Sequence, residues 1–120
     1  NVKLAGKKHP VTEVVFNERG FPIYDDAAVV DLMLDDNIAR IHDRRIHFKN
    51  ATAKLHHLID EGKINKNIFS QEQLEYIFDD AERIPELTWH HHEDFGRVQL
   101  VSKNLHSKTG HVGGFDLWFR

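Results

Sequence analysis

Five of the ten histidines in this 120-residue chain fall between positions 90 and 111, a window where even spacing would place about two. Three are consecutive, His90, His91 and His92, and His106 and His111 follow. Histidine serves as metal ligand, general base or pH switch, so the concentration points to chemistry. If the triplet lies on a strand, His90 and His91 point to opposite faces, and one can bind a metal while the other faces a substrate water. Neutral imidazole suits zinc and other borderline divalent ions, and a catalytic site keeps one position open for water or substrate. A spacing of five between His106 and His111 is poorer than four for one helical face. A single histidine in a strand is ordinarily a surface or core residue. Three in a row, internal and followed by two more, are read here as a site.

The elements that would position them follow from pattern. Leu87-Thr88-Trp89 runs into the triplet, Glu93-Asp94-Phe95-Gly96 has turn composition, and Arg97 to Val101 alternates as a second strand should. Asn104 to Gly110 suits a short helix, and Gly113-Gly114 closes the unit. The segment 85–114 therefore reads as hairpin, then helix.

Upstream, Gly6, Pro10, Gly20 and Pro22 make residues 1–24 an extended arm with one short strand. Asp25 and Asp26 precede Ala27, Ala28, Val29, Val30, Leu32, Met33 and Leu34, which reads as a helix start. A helical pattern continues through Ile38, Ile41, Phe48, Leu55 and Ile59 to Gly62, and its length predicts a break around 46–50. Ser70 with Gln73 fits a capping box, and Leu74, Ile77 and Phe78 share one face of the helix it opens. That helix should stop before Pro85. Residues 25–84 are thus expected to be mostly helical, and 115–120 a short C-terminal strand.

Composition bounds the rest. The length is one domain's worth. The absence of cysteine excludes disulfides, thiolate metal sites and a cysteine nucleophile. No apolar run approaches the roughly 20 residues of a membrane span, and no signal-peptide pattern opens the chain. It starts at Asn1 rather than Met, as expected of a module cut from something longer. The net charge of −3 argues mildly against polyanion binding by bulk charge alone. Yet residues 85–120 are neutral, and between 39 and 59 Arg40, Arg44, Arg45, Lys49 and Lys54 face only Asp43. On one helix Arg40 and Arg44 would share a face, and Arg40, Arg44 and Arg45 are candidate phosphate contacts. An ordinary solvated helix face is the equally weighted alternative.

The stretch from Leu87 to Val101, with Leu105-His106 and His111-Val112-Gly113-Gly114, resembles the WHH group of the HNH/endonuclease VII nuclease superfamily. His9-Pro10-Val11-Thr12, Phe16 and Gly20-Phe21-Pro22 are similar to the arm that opens those domains, while 25–70 are largely unmatched. The resemblance implies an α+β fold: a helical N-terminal part and a C-terminal ββα-metal (His-Me finger) unit gripping one divalent cation, Mg, Mn, Ni or Zn. It implies a metal-dependent endonuclease, with DNA favoured over RNA, delivered as the C-terminal toxin module of a larger secreted bacterial effector. Such a domain acts in the target-cell cytoplasm and is neutralised by an immunity protein.

Position by position, His91 resembles the general base, and His90, His106 and His111 the metal ligands. His92 has no assigned role; it could contact substrate or support a ligand. Many relatives use an Asp as first ligand and an Asn to orient the base. Here histidine stands in the first place, and a backbone carbonyl, Gln99 or Asn104 is left to orient His91. Arg97, Lys103 and Lys108 are the nearest cations, and solvated surface charge is the favoured reading for each. Two other readings stay open: the same site acting on RNA, and a non-catalytic module that a histidine-bound metal merely stabilises.

Overall fold

The computed structural model describes residues 15–16, 22–25, 27–109 and 114–119. The fold is α+β. A two-residue ribbon, β1 (Val15–Phe16) with β2 (Pro22–Ile23), is followed by β3 (Val30–Met33), α1 (Asp36–Ala39) and α2 (Arg44–Asp60). A 3₁₀ turn at Lys66–Ile68 leads to α3 (Gln71–Phe78), β4 (Leu87–His91), β5 (Arg97–Ser102), α4 (Lys103–Thr109) and α5 (Phe115–Trp118). No helix among the described residues is long and apolar enough to cross a membrane.

Three antiparallel strands form the main sheet in the order β3–β5–β4, which leaves β4 at an edge. The register aligns Val30 with Leu100 and Trp89, and Asp31 with Gln99 and His90. Side chains directly opposite each other share a face, so Val30, Leu32, Trp89, His91, Val98 and Leu100 lie on one side. There Val30, Leu32, Trp89, Val98 and Leu100 pack with Ala51, Leu55 and Ile59 of α2 and Leu74 and Ile77 of α3 into the main core. The indole N–H of Trp89 donates to Thr52 Oγ1 of α2 at 3.0 Å, so the polar end of this core side chain is satisfied. The other face carries Asp31, His90, Arg97 and Gln99, with a smaller cluster of Tyr24 and Val101.

The structure revises the expected elements between 25 and 62. Residues 30–33 form a strand, not the start of a helix, and their burial alternates with period two. Val29-Val30 is β-branched, and the edge of β5 supplies the hydrogen-bonding partner that a helix there would forfeit. The helical interruption falls at 40–43 rather than 46–50, and α2 runs unbroken through that stretch. Asp43 caps it, its side chain accepting the Arg45 N–H at 2.9 Å. Arg40 ends α1 and Arg44 opens α2, so the two do not share a helix face. Phe115–Trp118 is a helical turn where a strand was expected. The arm, expected to hold one short strand, shows two paired ones among its described residues, whereas from 63 to 109 pattern and structure agree. The Ser70–Gln73 capping box is formed in both directions, the hairpin spans 87–102, and α4 follows it directly. Gly96 closes the hairpin with φ +85, a conformation that favours glycine. The extended arm falls largely outside the described residues.

Candidate active site

His90 and His91 occupy the last two positions of edge strand β4 and leave it in opposite directions. Both are buried, each 4% exposed. His90 meets the edge of the Tyr24 ring at 4.8 Å, and its Nδ1 lies 3.3 Å from Nε2 of His106 on α4. The tight joint at Ser102–Lys103 turns α4 back across the hairpin. Inside α4, Thr109 Oγ1 donates to the Leu105 carbonyl at 2.7 Å, and Leu105 packs on the Tyr24–Val101 cluster. Burial, with His106 and His92 adding to it, pushes the His90 pKa down to about 3, which keeps the ring neutral and its lone pair available.

His91 turns toward α2. Its Nε2 lies 2.9 Å from Nδ1 of His47, and Phe48, Phe115 and Trp118 enclose the ring at 4.8–4.9 Å. Burial, then the neighbouring His47, Arg44 and His90, bring its pKa down to about 3. The backbone beneath it is clamped by α5. Gly114 N–H donates to the His91 carbonyl at 2.7 Å, and the Trp118 indole N–H to the His92 carbonyl at 2.7 Å. A Cβ on Gly114 would collide with that His92 carbonyl.

The two histidines nonetheless share one cavity of about 270 Å³, which wraps the free edge of β4 and is also lined by His106, Arg44, Phe48 and Phe115. The Arg44 guanidinium lies 4.4 Å from the centre of the Phe115 ring, and no carboxylate pairs with it among the described residues. Alongside runs a groove of about 500 Å³ that shares Arg44, Phe48, Thr88 and Trp89 with the cavity. Arg45, Arg83 and Lys103 line it, opposed by Glu82 and Glu86.

His90, His91, His106 and Arg44 are therefore brought together, whereas other residues singled out by sequence are not. His111 lies outside the described residues. His92, Arg97 and Gln99 belong to a polar network with Asp25 and Asp31 on the face of the sheet that carries His90, away from His91. There Arg97 pairs with Asp31 at 2.6 Å, Gln99 Nε2 donates to Asp25 and Asp31 at 2.9 Å each, and His92 Nδ1 accepts the Asp94 N–H at 2.9 Å. Asn104 and Lys108 are exposed on α4. Arg40 is paired with Asp36 at 2.6 Å, and Arg45 faces Glu82 at 3.7 Å.

His47 was missed by sequence reasoning, although its signal was there. Positions 47, 51, 55 and 59 form an i, i+4 row whose other members are Ala51, Leu55 and Ile59, the buried stripe of α2. Phe115 and Trp118 also carry the site, and an expected strand hid them. Among the described residues no group of three or more His, Cys, Asp or Glu side chains is arranged to hold a metal ion; His90 and His106 form a pair.

Comparison with curated proteins gives no match. Residues 14–113, most of the chain, match the family described as the DNase/tRNase domain of colicin-like bacteriocin. A buried histidine cluster beside an arginine that no carboxylate pairs among the described residues suits an enzyme that handles phosphodiesters, and the chain belongs to this family of bacteriocin-type nuclease toxin domains, whose substrate is nucleic acid.

Proposed function

We propose that this domain is a metal-dependent endonuclease of the WHH group that hydrolyses phosphodiester bonds in DNA, with His91 as general base. The observation that carries the proposal is the convergence of His90, His91, His106 and Arg44 on one cavity. Two nitrogens bound tetrahedrally to one zinc-like ion at about 2.0–2.1 Å lie about 3.3–3.4 Å apart. The His90–His106 separation of 3.3 Å fits that requirement, and both nitrogens belong to rings that need only stay neutral to ligate. His111 is proposed as the third protein ligand, with water or substrate completing the set. His90 and His106 would hold a divalent cation there, and its chemistry would be Lewis-acid stabilisation of the charge that builds on the phosphate and the departing oxygen.

The chain's own groups do the remainder. His91, neutral in its buried setting, accepts the proton of the attacking water as the water oxygen bonds to phosphorus and the bond to the leaving sugar oxygen breaks. Phosphate charge beside the ring raises its proton affinity at the moment it is needed. Arg44 offers a guanidinium to the non-bridging oxygens. Phe48 and Phe115 wall off bulk water. The adjoining groove gives the flanking backbone a path, with Arg83 and Lys103 unpaired by carboxylates among the described residues.

The domain is proposed to act as the toxic C-terminal part of a larger secreted effector, in the cytoplasm of a target cell, and to be held in check by an immunity protein. The test uses purified protein with plasmid DNA and with transfer RNA, each with Mg²⁺, Mn²⁺, Ni²⁺ or Zn²⁺, with chelator, and with His91→Ala. Plasmid cleavage that needs metal and is lost in His91→Ala supports the reading. Cleavage of RNA alone moves the substrate to the tRNase half of the family. A melting temperature that collapses with chelator, beside no cleavage of either substrate, points instead to a metal-stabilised binding module.

A further inference from the structure

We propose that the groove beside the histidine cavity is a nucleobase subsite. It takes one base unstacked from single-stranded or locally opened DNA against the ring of Tyr76, with Glu86 accepting a hydrogen bond from the base's exocyclic amino group. The proposal rests on the nuclease reading above, because the phosphate next to that base is the one placed at the histidines.

The groove of about 500 Å³ shares Arg44 and Phe48 with the cavity, so a strand whose phosphate lies at Arg44 carries its next nucleotide past Phe48 into the groove. Phosphate alone does not account for the lining found there. Arg45, Arg83 and Lys103 suit a backbone, but Glu82 and Glu86 stand among them and would repel one. Apolar surface lies between, from Ile84, Pro85 and Leu87 ahead of and at the start of β4, and aromatic surface from Phe48 of α2 and Tyr76 of α3. Tyr76 leaves 44% of its surface open. Exposed rings flanked by cations are the platforms on which unpaired bases stack. A base inside a duplex has both faces covered by its neighbours, so it must leave the stack to reach such a ring.

The two carboxylates of the groove are not equivalent. Glu82 faces Arg45 at 3.7 Å, whereas Glu86 makes no ion pair among the described residues. The backbone that carries Glu86 is pinned on three sides. Leu87 N–H donates to the Ile84 carbonyl at 3.1 Å, Gln73 Nε2 to the Pro85 carbonyl at 2.9 Å, and Lys103 N–H to the Glu86 carbonyl at 2.9 Å. Glu86 itself is held at φ +67, a left-handed conformation that a residue with a Cβ adopts at a cost. A carboxylate accepts hydrogen bonds and donates none. It therefore favours cytosine, whose N4 amino group donates, over thymine, which presents the O4 acceptor at the same place.

The test uses single-stranded thymidine oligomers with and without one central cytidine, and a duplex containing the cytidine strand. Binding to metal-free protein is read by fluorescence anisotropy, and cleavage by the metal-loaded enzyme is mapped on the same molecules. Wild type should bind the cytidine oligomer roughly tenfold more tightly than the all-thymidine one. It should cut at a phosphate flanking the cytidine, and cut the single strand faster than the duplex. Glu86→Gln, whose amide both donates and accepts, should bind the two oligomers alike. Tyr76→Ala should weaken both by roughly tenfold, and Tyr76→Phe should bind as wild type does. Both side chains are exposed, and an unchanged urea midpoint checks that each variant is folded. If Tyr76→Ala is not, the wild-type preference and Glu86→Gln decide alone. Equal binding of the two oligomers by wild type overturns the subsite, as does a cytidine preference that survives Glu86→Gln. Plasmid cleavage without any cytidine preference removes the subsite and leaves the nuclease standing. A Glu86-dependent preference in binding, beside no cleavage of any nucleic acid, keeps the subsite and overturns the nuclease reading.

Discussion

Trp118 donates its indole N–H to the carbonyl oxygen of His92 at 2.7 Å, so α5 holds the end of the strand that carries His91. Gly114 makes the companion bond to the His91 carbonyl, and no side chain fits between. Gly114→Ala should therefore force the strand end and α5 apart, at about 1–3 kcal/mol of stability, read by urea unfolding, with cleavage falling in parallel. Trp118→Phe, which removes only the N–H, should cost about 1 kcal/mol. Wild-type stability in Gly114→Ala would show that α5 is not docked as described.

The His90–His106 pair makes a prediction that needs no substrate. Zinc added to metal-free protein should raise the melting temperature by mass action, adding about 2.7 kcal/mol at a hundredfold excess over Kd. His90→Ala and His106→Ala should each abolish most of that rise. His92→Ala should keep it, because His92 sits in the Asp25–Asp31–Arg97 network instead. Calorimetric titration gives the same ranking independently, and equal loss in His92→Ala would contradict the assignment.

Asp31 titrates below the ordinary carboxylate range, chiefly because Arg97 donates to it, with Gln99 contributing and burial opposing. A depressed folded pKa gives stability that is present above the unfolded pKa of about 3.9 and is lost as pH falls through the folded value. Both partners are partly exposed, so solvent screening holds the contribution below about 1 kcal/mol. Asp31→Asn should be less stable than wild type at pH 7, and the two unfolding curves should converge as the pH drops below 4. A gap that persists at low pH would assign the loss to packing.

The groove beside the cavity can be separated from the chemistry by kinetics. Removing Arg83 and Lys103 together as alanines should raise KM and leave kcat within about twofold, since neither lines the histidine cavity. With duplex DNA the salt dependence of binding should weaken by about 0.9 in log–log slope for each phosphate left without its cation. An unchanged salt slope would remove the groove from the substrate path.

The hairpin, its helix and the approach of His106 to His90 were legible because each is local. Arg97 to Val101 alternates in sequence after a glycine turn that follows the Leu87-Thr88-Trp89 strand, and α4 starts where that alternation stops. What failed to read was non-local. Val30–Met33 carries an apolar run that suits either a helix or a strand, and only β5, nearly seventy residues later, decides. The basic stretch from 39 to 59 looked like one charged face, but Arg40 and Lys54 are tied to Asp36 and Asp35, and His56 and His57 to neighbouring acids. His42 instead stacks on Phe119 at 4.3 Å. His47 lay on the buried stripe of α2, yet a histidine in an apolar row announces its partner only when the partner's position is known.

Beyond its hairpin partner β5, His91 depends on groups far along the chain: His47 stands 44 residues earlier, and Trp118 is 26 residues beyond the carbonyl it holds. A partly made, stretched or threaded chain thus has the histidines but not the enzyme. The cluster around His91 is therefore complete only in the folded domain, once α5 has docked on the end of β4.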